Sequence, residues 1–114
     1  MASDVVVVGA ARTPTGAFGG SLRDTAVYDL GAIAIRAALE RAGVPAERLD
    51  QVIYANCRQA GNGPNPARTA AVRGGVPVAV PVYTVNMACP SAMKSVMLAV
   101  RELAAGEAKL ILAG

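Results

Sequence analysis

The chain has no histidine and no tryptophan, one phenylalanine, three tyrosines and two cysteines among 114 residues. Each shortage excludes something. Two thiols without a histidine cannot build a metal cage. The side chain that most often serves as a general base is missing altogether. No apolar run approaches the roughly 20 residues of a membrane span. Nine arginines and two lysines face eight acids, for a net charge of +3. These cations are scattered, so they make no nucleic-acid stripe. A phosphate-bearing ligand is compatible with the charge but not implied by it. The opening "MASDVVVVGAARTP" has no basic leader region and turns strand-like at once. It reads as a mature cytosolic N-terminus, and a cytoplasmic protein is expected.

What the chain does have is aliphatic: 54% of it is hydrophobic. At this length it makes at most one modest domain, spanning 1–114. "DVVVVGAA" (4–11) is a continuous β-branched run, as expected of a strand buried on both faces. A Gly/Pro loop follows over 12–24. Residues 25–42 have helical spacing, with Asp24 or Thr25 as cap. Leu30, Ile33, Ala34, Ala37 and Ala38 fall on one face, and Gly43 closes the helix. Further strands are expected at 51–57, 82–87 and 109–114. Helices are expected at 67–75 and 91–106. The order β-α-β-α-β-α-β predicts a mainly parallel sheet covered by helices. The last strand has no helix after it to cover the crossover, so an α/β protein would be expected to continue there.

The stretch "TVNMACPSAMKSV" (84–96) carries the chemistry. Cys89 stands between a strand and a helix, where open α/β sheets place their ligand crevices. A helix N-terminus favours negative charge, hence a thiolate. Pro90 suits the first helical position, because the N–H it lacks has no partner there. The backbone N–H of Cys89 can serve as an oxyanion donor. Acyl transfer also needs a base, and no His is present to provide one. On these residues alone Cys89 is either a nucleophile or a buried structural thiol.

Four segments resemble the N-terminal part of the thiolase family, the acetyl-CoA acetyltransferases. They are "VVGAARTPTGAFGGSL" (7–22), "LGAIAIRAALERAGV" (30–44), "QAGNGPNPARTAAVRGGVP" (59–77) and "VNMACPSAMKSV" (85–96). "LILAG" matches the strand that follows. The resemblance implies the first part of the first of two similar α/β halves. It implies that Cys89, in the N-x-x-C-x-S pattern of Asn86, Cys89 and Ser91, accepts the acyl group. That group would pass from an acyl-CoA to acetyl-CoA, or the reverse cleavage would run. Coenzyme A thioesters are then substrates, and no permanently bound cofactor is expected. In that family the catalytic His and a second Cys lie in the remainder of a longer chain. A C-terminal thiolase part, as a second chain or fragment, is therefore an expected partner. A homodimer or tetramer of the completed unit is expected as well. Pro90 stands where the family usually has a small residue, and Ala92 where it often has Gly.

The resemblance also places the "QAGNGPNPAR" loop near a subunit contact. Gln59, Asn65 and Arg68 are interface residues on that reading, or loop-satisfying and capping residues otherwise. Cys57, Met87, Met93 and Met97 are expected in packing, and Arg12 and Thr13 in fixing the first loop. Two functions fit. One is the nucleophile-bearing part of a thiolase, silent in isolation. The other is a thiolase-derived interaction subunit without catalysis.

Overall fold

A computed structural model describes residues 4–114. Its elements are α1 (Val27–Ala42), a 3₁₀ turn (Ala46–Arg48), β1 (Gln51–Ala55), α2 (Pro66–Arg73), β2 (Val82–Val85), α3 (Ser91–Ala104) and β3 (Ile111–Ala113). The fold is α/β. Three parallel strands lie in the order β2-β1-β3, with Ala55 beside Val85 and Ile53 beside Ala113. The ladder runs one residue further at the carboxyl end, where Ala55 N–H reaches Gly114 O at 2.7 Å.

β1 is the centre of the sheet because both of its faces are covered. Val52 packs with Ile35, Leu49, Ala70, Ala71, Val76 and Val80, on the side of α1 and α2. The next residue, Ile53, points the other way and packs with Val85 and Ala99 under α3. Alternation along the strand thus divides the core into two layers. α1 and α2 meet closely: a Cβ added to Gly31 would stand 3.0 Å from that of Ala70.

The ends of α1 differ in quality. Gly43 adopts the left-handed conformation at φ 65°, and its N–H returns to the last turn, as the sequence predicts. The N-cap, however, is Ala26, with no side-chain cap. Asp24 pairs with its neighbour Arg23 at 3.5 Å instead. The inward face also departs from expectation. Ala32 and Ile35 are buried, flanked by Tyr28 and Leu39, while Ile33 is exposed.

The expected strand at 4–11 is the largest departure. The segment is not in the sheet, and Val6, Val7 and Val8 are 70%, 83% and 58% exposed. It lies on α1 instead. Arg41 Nη1 donates to Ala10 O at 3.0 Å, and a Cβ on Gly9 would stand 2.8 Å from that of Ala42. Val8 and Leu110 both line a cleft of about 390 Å³. The sheet ends at β3 on this side, and the segment adds no strand to it. Elsewhere the strands at 51–57, 82–87 and 109–114 are shorter than expected, and the helices at 67–75 and 91–106 begin and end within two residues.

Candidate active site

β2 ends at Val85 and α3 begins at Ser91, so five residues make the connection. Ala88 turns it. At φ 58° it is the one non-glycine residue in the left-handed region among the described residues. Its N–H donates to Asn86 Oδ1 at 3.1 Å. Its carbonyl accepts the Ser91 N–H at 3.1 Å and the Ser91 hydroxyl at 2.5 Å. The Ser91 oxygen in turn accepts the Met87 N–H at 2.7 Å. Cys89 follows Ala88 at the tip and is exposed. Its N–H finds no acceptor among the described residues. Pro90 is the N-cap of α3 rather than its first residue, and its carbonyl accepts the Lys94 N–H at 2.9 Å.

In this chain Cys89 is thus exposed rather than packed. The buried polar residues of this region are Ser91 and Ser95, the latter donating to Ser91 O at 3.1 Å. Cys57 also differs from expectation. It lies past the end of β1 and is exposed rather than packed. Asn86 Nδ2 donates to its carbonyl at 3.3 Å, which ties the ends of β1 and β2 together. Met87, Met93 and Met97 are likewise exposed, not core. α3 is too far around on its sheet-facing side, Ser91–Ser95–Ala99, for the two helix methionines to reach inward.

Asn65 and Arg68 meet at the start of α2, Gln59 lies in the loop before it, and all three bond to the chain itself. Asn65 caps α2, accepting the Arg68 N–H at 3.2 Å, while its Nδ2 donates to Val82 O at 3.1 Å. Thr84, which the sequence did not single out, donates its hydroxyl to Asn65 Oδ1 at 2.5 Å and accepts the Ala67 N–H at 3.1 Å. The Arg68 guanidinium donates to Val80 O at 2.8 Å and Val78 O at 2.7 Å. Gln59 donates to Asn56 O at 3.0 Å. Arg12 donates within its own loop, to Thr13 O at 3.2 Å.

A cleft of about 450 Å³ opens at the carboxyl end of β1, between Arg12, Tyr28, Tyr54 and Gly114. Ala92 reaches its wall, but Cys89, Asn86 and Ser91 do not. It is mostly apolar and is not the surface on which the thiol stands. Tyr54, half-buried there, donates to Gly31 O at 3.3 Å, and burial pushes its phenol upward.

Together these observations define an α/β unit with an exposed thiol at a strand-to-helix elbow. The family follows from comparison. The profile described as "Thiolase, N-terminal domain" matches residues 5–114, and the chain belongs to the thiolase family. It is 50% identical over 112 residues to the acetyl-CoA acetyltransferase of Cupriavidus necator, covering 98% of this chain and 28% of that protein. It is 46% identical over 110 residues to a protein named "Probable acetyl-CoA acyltransferase" in Staphylococcus aureus strain NCTC 8325, covering 96% of this chain and 28% of that one. The chain thus spans little more than a quarter of the relatives it matches. No helix among the described residues is long and apolar enough to cross a membrane.

Proposed function

We propose that Cys89 is the acyl-accepting nucleophile of a thiolase-type transfer. The carrying observation is an exposed thiol at the elbow beyond β2, with its own N–H unspent. The thiolate attacks the carbonyl carbon of an acyl-CoA. The oxygen takes up negative charge, which the Cys89 N–H is free to stabilise. Collapse expels the coenzyme A thiolate and leaves an acyl thioester on Cys89. Loss of an α-proton from acetyl-CoA then gives the carbanion that takes the acyl group and frees the thiolate. Running backward, the same steps cleave a 3-ketoacyl-CoA. Splitting the condensation in two replaces one difficult step by two easier ones.

The α-proton needs a base, and this chain has no histidine. We assign the base and a second cysteine to a C-terminal thiolase part that works with this chain, as a second polypeptide or fragment. The completed unit is read as a homodimer or tetramer. We assign its contact to the 59–68 loop, with Gln59, Asn65 and Arg68 as interface residues. The missing base favours a second reading, a non-catalytic thiolase-derived subunit. One experiment separates the two. The assembled protein, purified from its source, is exposed to labelled acetyl-CoA, quenched in acid and peptide-mapped. Label on the Cys89 peptide, lost in Cys89→Ser, is the expected result. No thioester at all supports the non-catalytic subunit, and label on Cys57 overturns the assignment.

A further inference from the structure

We propose that Asn86 and Ser91 are the positioning residues of the nucleophile, holding Ala88 in the left-handed conformation that turns Cys89 outward. The proposal rests on the reading of Cys89 as the reactive thiol. A left-handed alanine sets its Cβ against the following carbonyl, so it persists only where the surroundings fix it. Here both polar groups of Ala88 are held. Asn86 Oδ1 takes its N–H at 3.1 Å, and the Ser91 hydroxyl donates to its carbonyl. The same hydroxyl oxygen takes the Met87 N–H at 2.7 Å, so one atom closes the turn on both sides of Ala88. Ser91 is 3% exposed, which keeps water from competing for these bonds.

The clamp is fixed to the scaffold at two points. Ser91 is the first residue of α3 and is buried beside Ser95, whose hydroxyl donates to Ser91 O. Asn86 reaches across to Cys57 O at the end of the central strand. The elbow is thereby referenced to both β1 and α3. Neither side chain contacts the thiol in this arrangement; each acts through Ala88. If Ala88 relaxes to an ordinary conformation, the chain direction at Cys89 changes and with it the placement of the thiol.

Glycine tolerates a positive φ without the clamp, and this gives the test. In the assembled protein, Cys89 and Cys57 alkylation by iodoacetamide is followed by peptide mapping, beside kcat and KM for the acyl-CoA. Ser91→Ala is expected to slow Cys89 alkylation and kcat by about tenfold or more, as misplacement of a reacting atom does. KM and Cys57 alkylation should move little. Adding Ala88→Gly to Ser91→Ala should restore most of both rates, which a general packing defect would not allow. Wild-type Cys89 reactivity in Ser91→Ala overturns the proposal, as does failure of Ala88→Gly to rescue a folded protein. If Ser91→Ala does not fold, the Asn86 pair decides. Asn86→Ala should lose most of the Cys89 alkylation rate, and Ala88→Gly added to it should restore most of it; an unchanged rate, or no rescue in a folded protein, overturns the proposal. The alkylation rate is read whether or not an acyl thioester forms on Cys89, so a failure there is distinct from a failure of the nucleophile assignment.

Discussion

Asp50 holds Lys109 in place: its Oδ2 accepts the Lys109 N–H at 2.7 Å and also that of Leu110 at 3.0 Å. One carboxylate thus fixes the entry of β3 against the entry of β1. The two backbone bonds hold the Asp50 carboxyl below its ordinary value, with the Lys109 charge adding to them. A lowered folded value means stability that is present above the unfolded carboxylate range, near pH 4. It is lost as pH falls through the folded value. Asp50→Asn should therefore loosen β3 at neutral pH. The variant-to-wild-type ratio of amide exchange at Lys109 and Leu110 should fall toward unity in acid. A ratio independent of pH would remove the carboxylate from this role.

Asn65 is the corresponding fixture for α2. Its side chain caps the helix, takes the Thr84 hydroxyl and donates to Val82 O. Losing a cap of this kind costs about 1 kcal/mol, with a range of 0.5–2. The Thr84 and Val82 partners add about 1 kcal/mol more when left without their bonds. Asn65→Ala should thus destabilise the assembled protein by about 2 kcal/mol in urea. Asn65→Asp, which keeps the cap, should lose less. If Asn65 works chiefly through a subunit contact, the loss will instead depend on protein concentration.

The isolated 114-residue chain should be catalytically silent. Its thiol can accept an acyl group, but the condensation also requires removal of an α-proton, and no histidine is present. Acetoacetyl-CoA cleavage is the assay. Turnover by the purified chain with no other polypeptide present would show that a base within it had been overlooked.

The order of elements, the parallel sheet and the elbow that bears Cys89 were legible because each has a local cause. Gly43 stops α1, Pro66 opens α2, and a β-branched pair at Val52 and Ile53 makes the central strand. What the sequence did not disclose depends on neighbours. The valines of 4–11 favour extended backbone, but a strand also needs a partner alongside, and the segment is not in the sheet. The inward face of α1 is ambiguous in the sequence because alanines surround both candidate stripes. Leu30 and Ile33 mark one, and Tyr28, Ile35 and Leu39 mark the other. Cys57 and the helix methionines suit the interior by residue type, which says nothing of which side meets the sheet. Asn86 and Ser91 were visible as a pattern. Their bonds to Ala88 were not, since nothing about an alanine announces a positive φ.

α3 carries the last prediction. Met93, Val96, Met97 and Val100 follow helical spacing and are 70%, 45%, 46% and 41% exposed. Leu98 and Leu103 of the same helix are half-buried. Full burial of one such side chain is worth about 1.5–3 kcal/mol. These four are about half exposed, so covering the stripe recovers roughly 1 kcal/mol each, or about 4 in all. Against a typical net stability of about 5–15 kcal/mol, that is a deciding share. Our reading supplies the cover from the C-terminal thiolase part. The separately expressed chain should then aggregate or melt without cooperativity, and Val96→Glu should improve its solubility while changing its own stability little. In the assembled protein the same substitution should release the complementary part, since it sets a charge into an apolar contact. Size-exclusion chromatography and thermal melting read both arms. A sharp melt at monomer size for the unmodified chain, or an assembly indifferent to Val96→Glu, would show that this stripe faces water in the working protein.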